Sequence, residues 1–136
     1  MANWDETIKA SVWKKGRVVP LKSADEYRFD EQGALMKWSE YGKYTNEGWQ
    51  IGHIYPEALL QKEGVDQKKI DAEINLRPVN SYNNDTKSDD YPHFESSVAY
   101  DSKAEKNVAK RGKWKVTEEV QLRLSDFFGL KSKKQE

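Results

Sequence analysis

Apolar residues recur at every fourth position near both ends of the chain, and they predict a helix in each place. The residues are Trp4, Ile8 and Val12 in the first segment and Val120, Leu124 and Phe128 in the second. Because this spacing gives a helix one apolar stripe, we predict a short helix or a capped turn over residues 4–15 and a helix after Thr117. Two glutamates after Thr117 are typical of a first helical turn, and Gly129 is typical of a helix end.

The middle of the chain has shorter apolar runs, which predict extended structure. We expect an extended piece over residues 17–20, a small hairpin over 27–38 and a strand over 49–54. Residues 74–92, INLRPVNSYNNDTKSDDYP, are rich in Asn, Asp, Ser and Pro. Composition alone predicts a loop there, because these side chains compete with regular structure for backbone hydrogen bonds. Residues 131–136 have nothing to bury, and we expect them to fray.

Three further helices are predicted from start and stop signals. Proline in a first turn and a following glycine predict a helix between Pro56 and Gly64. A second candidate spans residues 66–73, with Asp66 as its cap. Ser102 and a glutamate three residues later form a capping box, so we predict a helix that ends at Gly112.

The composition indicates one small domain of the α+β class. The 136 residues are 36% apolar and 34% charged, but five Trp, seven Tyr and four Phe supply large side chains for a core. The 23 basic and 23 acidic residues cancel, so any binding to nucleic acid must be local. The absence of cysteine excludes disulfides and thiolate zinc sites. With neither an apolar signal core nor a run of about 20 apolar residues, we expect a cytoplasmic protein with no membrane contact.

The chain contains two histidines, and histidine is the side chain whose ordinary pKa suits proton transfer near neutral pH. His53 lies in the predicted strand GWQIGHIYP, whereas His93 lies in a loop beside Pro92. His53 is therefore the better candidate for a general base. An isolated histidine between apolar neighbours is more often structural, so its role depends on the residues around it.

Three motifs in order resemble the HNH nuclease motif. They read His53-Ile54-x-Pro56, then Asn75-Leu76-Arg77-Pro78, then Asn84-x-x-Lys87-Ser88-Asp89. The earlier pairs Trp13-Lys14 and Gly48-Trp49 are similar to the lead-in of bacterial HNH endonucleases, and the likeness covers about residues 4–95. Each motif is weak singly, but their order and spacing together are informative. The resemblance implies a ββα-metal fold, in which two strands and a helix surround one divalent cation.

The resemblance also implies roles for individual residues. His53 would be the general base of a metal-dependent DNA endonuclease, and Asn75 would pin the loop that holds it. Asn84 would bind one divalent cation, Mg²⁺ or else Mn²⁺, through a neutral oxygen. Arg77 and Lys87 would contact the phosphates of the substrate.

One position departs from the family pattern, which has Asp before the catalytic histidine where this chain has Gly52. Without that carboxylate the cation should bind weakly. Three explanations remain open. The enzyme works with another acid, such as Asp85, Asp89 or Glu73; the fold has lost cleavage and binds nucleic acid or a protein partner; or the likeness is a coincidence. The first is favoured because the other motif residues remain.

The predicted organisation is an HNH-like domain over residues 1–100, a helical extension over 101–130 on the same domain, and a frayed tail over 131–136. Arg77, Lys87 and four lead-in cations, Lys14, Lys15, Arg17 and Arg28, are candidates for a basic strip along DNA. Residues 101–136 contain ten Lys or Arg against six Asp or Glu. This excess makes the tail a candidate second DNA contact, in which Trp114 either stacks on a base or caps the core.

Overall fold

Helices and antiparallel strands alternate along the chain, which confirms the α+β class. The computed structural model describes residues 4–130. The helices are α1 (Glu6–Trp13), α2 (Glu57–Lys62), α3 (Gln67–Ile70), α4 (Ser81–Lys87) and α5 (Glu118–Phe128). The strands are β1 (Arg17–Val18), β2 (Tyr27–Phe29), β3 (Leu35–Lys37), β4 (Trp49–His53), β5 (Leu76–Asn80), β6 (His93–Asp101) and β7 (Lys106–Lys115). The strands form three sheets, β1-β2-β3, β4-β5 and β6-β7.

The end helices and the early hairpin confirm the apolar pattern. At the start of α5 the Thr117 side chain accepts a hydrogen bond from the Val120 amide, and the helix ends at Gly129 with φ of 70°. β2 and β3 pair as the predicted hairpin, whose turn contains Gly33 at φ of 90°. Helix α2 begins after Pro56 as predicted, whereas the predicted helix 66–73 is shorter and covers only α3.

The prediction of a loop over residues 74–92 was wrong, because this segment contains β5 and α4. The asparagines that suggested a loop instead bond to backbone at element ends. The Asn80 side chain accepts hydrogen bonds from the amides of Tyr82 and Asn83, and it thereby caps α4. The polar composition therefore reflects a capped helix and a buried network.

The prediction of a helix over residues 102–112 was also wrong. Ser102 and Glu105, which looked like a capping box, lie in the turn between β6 and β7, where Glu105 has φ of 55°. Asn107 fixes the strand, because its side chain exchanges two hydrogen bonds with the backbone of Leu35. The predicted helical extension over 101–130 is thus a strand followed by α5. Residues 131–136 lie outside the described residues.

The apolar core has two parts. The first joins α1, β3, β4 and β5 through Val12, Trp13, Met36, Trp49, Ile51 and Leu76. The second joins α2, α3 and α5 through Leu60, Ile70, Leu124 and Phe128. Fully burying side chains of this size stabilises the fold by about 1.5–3 kcal/mol each. The second part anchors the connection between β4 and β5, so it sets where residues 54–75 lie.

A buried carboxylate joins the β2–β3 turn to the junction of β5 and α4. Asp30 accepts hydrogen bonds from the Gln32 and Ala34 amides in its own turn and from the Asn80 amide and Asn83 side chain. Burial raises the pKa of Asp30 above its ordinary value. Four donors nonetheless converge on this carboxylate, so it holds α4 against the first sheet.

β4 and β5 are paired so that Gly52 lies opposite Arg77 and His53 lies opposite Leu76. α4 follows β5 directly, which makes a strand–strand–helix unit with α2 and α3 inserted between the strands. Within residues 4–130, the helices are all too short or too polar to cross a bilayer.

Candidate functional site

A cavity of about 530 Å³ lies where the end of β4 meets α2 and α4. Its polar wall includes Gly52, His53, Glu57, Asn84, Asp85 and Asp89. His53 and Asn84, the predicted base and the predicted metal ligand, therefore share one cavity. Among the described residues, no lysine or arginine lines it. Its side chains supply carboxylate, amide and imidazole ligands.

Asn84 fills the space that a side chain at position 52 would need. A Cβ atom placed on Gly52 would lie 2.7 Å from Asn84 Oδ1 and 3.0 Å from Val79 Cγ1. In the part of the chain that the structure describes, no hydrogen bond of the Asn84 side chain is seen, although this side chain is half-buried. Its amide oxygen is therefore available to a ligand in the cavity.

His53 is held by an aspartate that the sequence motifs did not indicate. Its Nε2 atom lies 2.8 Å from Asp71 Oδ1, and its side chain is 17% exposed. Since an ionised carboxylate only accepts hydrogen bonds, Nε2 carries the proton in the neutral ring and Nδ1 has the lone pair. The Trp4 ring packs nearby at a centroid distance of 5.9 Å. This arrangement fixes both the tautomer and the direction of the imidazole.

Asn75 is fully buried and ties together the two segments that carry His53 and Asp71. Its Oδ1 accepts a hydrogen bond from the Tyr55 amide, and its Nδ2 donates to the carbonyls of Tyr55 and Ile70. Tyr55 follows His53 by two residues and Ile70 precedes Asp71. Asn75 thus contacts the loop after the histidine, as expected, and it reaches the ring through Asp71.

His53, Glu57 and Asp71 form a second candidate ligand set. One ligand atom from each lies within 4.8 Å of the other two. The Gln67 side chain donates hydrogen bonds to both Glu57 Oε2 and Asp71 Oδ2, at 2.6 and 3.1 Å. A divalent cation here would use His53 as a ligand, whereas a cation at Asn84 leaves His53 as a base.

The acids suggested as substitutes for a carboxylate at position 52 differ in position. Asp85 and Asp89 line the cavity, and Asp85 also accepts a hydrogen bond from the Tyr44 hydroxyl at 2.9 Å. Glu73 instead accepts a hydrogen bond from the Ser11 hydroxyl and is not part of the cavity wall. Of the three suggested acids, Asp85 and Asp89 therefore share the cavity with Asn84.

The cations expected to contact the substrate are buried away from this cavity. Arg77 is 4% exposed and Lys87 is 3% exposed, and both lie over the Phe94 ring. Lys87 Nζ donates to the Asp90 carbonyl, and burial lowers the pKa of Lys87 to about 8. Contact between either side chain and the substrate remains a prediction.

Three of the cations before residue 30 that were predicted to form a basic strip either bond to nearby backbone or line another cavity. Arg28 donates to the carbonyls of Ala24, Lys14 and Gly16, and Lys15 donates to those of Glu73 and Leu76. These bonds hold α1 and the first sheet against β5. Arg17 lines a different cavity together with Trp114. The described structure therefore contains no basic strip along the His53 cavity.

Sequence reasoning missed Glu57 and Asp71. Glu57 could not be recognised as a site residue, because the helix dipole already explains an acid in the first turn of α2. Asp71 carried a usable signal, since it lies at the carboxyl end of α3, where the dipole disfavours an anion. An acid in that position requires another partner, which here is His53.

No protein family, curated protein or solved structure matches the chain.

Proposed function

We propose that the protein is a metal-dependent endonuclease of the HNH type, which hydrolyses phosphodiester bonds in DNA. The observation that carries this proposal is that His53 and Asn84, far apart in sequence, line one cavity beside Gly52. The order of β4, β5 and α4 supports it, because the resemblance implies two strands followed by a helix around the cation. The insertion of α2 and α3 between the strands supplies Glu57 and Asp71.

His53 is the general base in this proposal. Asp71 accepts a hydrogen bond from Nε2–H, which leaves the lone pair on Nδ1, and Nδ1 takes a proton from the attacking water. The water oxygen forms a new bond to phosphorus, the bond to the sugar oxygen breaks, and the departing oxygen takes a proton from solvent water. Asp71 then stabilises the imidazolium that forms. Asn75 holds the loop after His53 next to the segment before Asp71, and it acts as a positioning residue.

The donor atoms of the cavity fit a hard divalent cation. Asn84 offers an amide oxygen, and Asp85 and Asp89 offer carboxylates in the same wall. Such a cation, Mg²⁺ or Mn²⁺, supplies Lewis-acid stabilisation of charge on the phosphate when it is bound. The acidic wall itself repels a phosphate, so substrate binding in this cavity requires a cation.

The test compares wild type with His53→Ala in the rate at which each cleaves supercoiled plasmid DNA in the presence of Mg²⁺ or Mn²⁺. We expect a loss of about 10²- to 10⁴-fold, since this is the usual contribution of a general base. His93→Ala is the matched control, because His93 is exposed and lies outside the cavity. If wild-type protein that is free of contaminating nuclease fails to cut DNA with every divalent cation tried, the proposal is refuted.

Manganese binding separates the two candidate ligand sets. If Asn84 and its neighbouring acids hold the cation, His53→Ala retains Mn²⁺ affinity and Asn84→Ala loses it. If His53, Glu57 and Asp71 hold it, the pattern is reversed. Electron paramagnetic resonance of free Mn²⁺ measures both affinities without reference to cleavage.

Gly52 favours a second candidate function, a nuclease fold that binds nucleic acid or a protein partner without cutting. Its motivation is that Asn84 occupies the space which the family's metal-binding Asp would use. Such a protein should bind DNA or its partner in EDTA. Gly52→Asp then discriminates, because gained Mn²⁺ binding and cleavage would identify an inactivated nuclease. An already active protein whose rate is unchanged would show that other ligands suffice.

A further inference from the structure

A second cavity of about 380 Å³ borders the same strand pair. Three cationic side chains line it: Arg17, Arg77 and Lys115. Glu31 is the one acidic side chain in its wall within residues 4–130. Positive charge therefore predominates in this cavity, in contrast to the His53 cavity.

Arg77 is the buried element of this site. It is 4% exposed, and its Nε atom has no hydrogen-bond partner among the described residues. Its ion pair with Glu31 is long, at 3.5 Å, and Glu31 itself is 64% exposed. Burial lowers the pKa of Arg77 from its ordinary value. Asp30 and Glu31 supply counter-charge, but within residues 4–130 the Nε proton has no acceptor, so an anionic ligand that supplies one would stabilise the buried cation.

An aromatic wall accompanies the cations. Trp114 is 38% exposed and lines the cavity, while its Nε1 donates to Ser96 Oγ at 2.7 Å. This hydrogen bond holds the indole in place, so its ring is available for stacking with little loss of side-chain freedom. Phe94 lines the cavity beneath the Arg77 guanidinium, 5.0 Å from its ring centroid. Cations beside a fixed aromatic ring match the two chemical parts of a nucleotide.

We propose that this cavity binds a nucleoside phosphate, with the phosphate among Arg17, Arg77 and Lys115 and the base against Trp114. The ligand is either a free nucleotide or the terminal nucleotide of a single strand. The proposal goes beyond the nuclease function and does not depend on it, because none of the three cations belongs to the His53 cavity.

Binding is measured in EDTA on the His53→Ala protein, so that neither metal nor cleavage contributes. The probes are deoxyadenosine monophosphate, inorganic phosphate, and single-stranded oligonucleotides with and without a 5′ phosphate. The readout is the Trp114 indole signal in a ¹⁵N NMR spectrum, assigned with Trp114→Phe. We expect a saturable shift of this signal with the nucleotide and a weaker effect of phosphate.

Charge variants test the assignment of the cations. Arg17→Gln and Lys115→Gln should each weaken nucleotide binding by about 10- to 100-fold, as expected for hydrogen bonds to a charged group. Glu31→Gln should tighten it by about 2- to 5-fold, because an exposed competing charge is removed. Lys106→Gln, at the far end of β7 and exposed, is the matched control and should change nothing.

Tighter binding of the 5′-phosphorylated oligonucleotide than of the mononucleotide would identify a strand end as the ligand, and the reverse would identify a free nucleotide. Absence of a saturable Trp114 shift with every probe up to about 10 mM would overturn the proposal, since that excludes even a millimolar site. Inorganic phosphate binding as tightly as the nucleotide would overturn the role of Trp114. Weakening by Lys106→Gln equal to that by Lys115→Gln would overturn the assigned cations.

Discussion

The His53 cavity and the Arg77 cavity share two strands and differ in charge. His53 lines the first and the next residue, Ile54, lines the second. Gly52 lines the first, and its cross-strand partner Arg77 lines the second. The first is walled by carboxylates and amides, and the second by three cations and a tryptophan. A single strand pair thus separates a site that attracts cations from one that attracts anions.

This difference in charge determines which of the two cavities needs a metal ion before it can bind a phosphate. A phosphate near Asp85 and Asp89 meets negative charge, so it can approach only when a cation neutralises the wall. A phosphate near Arg77 needs no cation. Chelation should therefore abolish chemistry at His53 and leave nucleotide binding intact, and the following predictions test how far the two cavities are independent.

The largest expected effect is on the support that both cavities share. Asp30→Ala removes the acceptor of four buried donors and a counter-charge to Arg77, so it should lower the free energy of unfolding by about 3–5 kcal/mol. Urea unfolding measures this loss. Asp25→Ala, at an exposed position, should stay within about 0.5 kcal/mol. Equal losses in the two variants would show that the network does not join the sheets.

Lys87 gives the next largest effect, and it depends on pH. Its pKa falls to about 8 on burial, so between that pH and about 10.4 the unfolded chain holds a proton that the folded chain lacks. The Lys87 contribution to stability should therefore rise by about 3 kcal/mol over this window, and it is lowest below pH 8. The measurement is the unfolding free energy of wild type minus that of Lys87→Met, taken in EDTA at several pH values.

Lys103→Met, at an exposed turn position, is the control and should give the same difference at each pH. A flat curve for Lys87→Met would mean that the Lys87 ammonium is hydrated in the folded protein. In that case Lys87 would be free to contact a phosphate, as the sequence motifs predict.

Local patterns predicted the ends of the molecule, because helices α1 and α5 carry their own start, stop and apolar stripe. β7 and α4 could not be predicted in this way. The side chain of Asn107 reads as polar, but its partner is the backbone of Leu35, 72 residues earlier. Asn83 likewise bonds to Asp30 and to the backbone of β6. Long-range partners of this kind leave no local periodicity.

Only part of the candidate site could be predicted, because its remaining contacts are also between residues far apart in the sequence. The motifs indicated His53 and Asn84, which the structure brings to one cavity. Asp71 lies in the segment predicted as a helix over residues 66–73, but no motif gave it a role, and its contact with His53 depends on how α3 packs. Arg77 and Lys87 were predicted to contact the phosphates of the substrate, and both side chains are buried. Burial of a charge depends on tertiary packing, which a single sequence does not reveal.

A smaller effect is expected at the support of the imidazole. Asp71→Asn replaces the carboxylate that accepts a hydrogen bond from Nε2–H, and it should lower cleavage by about 10- to 100-fold. Nitrogen chemical shifts of the ring give a second readout, because the single Nε2-protonated tautomer should become a mixture. Asp66→Asn, before α3 and exposed, is the matched control. An unchanged tautomer would show that the ring is held by packing against Trp4 instead.

The smallest effect is expected at Gly52, where it separates the two cavities most directly. A methyl group there meets Asn84 Oδ1 and Val79 Cγ1, so Gly52→Ala should lower stability by about 1 kcal/mol and weaken Mn²⁺ binding by displacing the amide. Adding Asn84→Ala removes the nearer of these two atoms, so it should restore part of the lost stability but not the Mn²⁺ affinity. Nucleotide binding at Arg77 should not change in either variant, because the new methyl group contacts no residue of that cavity. A change there would mean that the strand pair transmits strain between the sites, since a shift in Val79 would then reach Arg77 along β5.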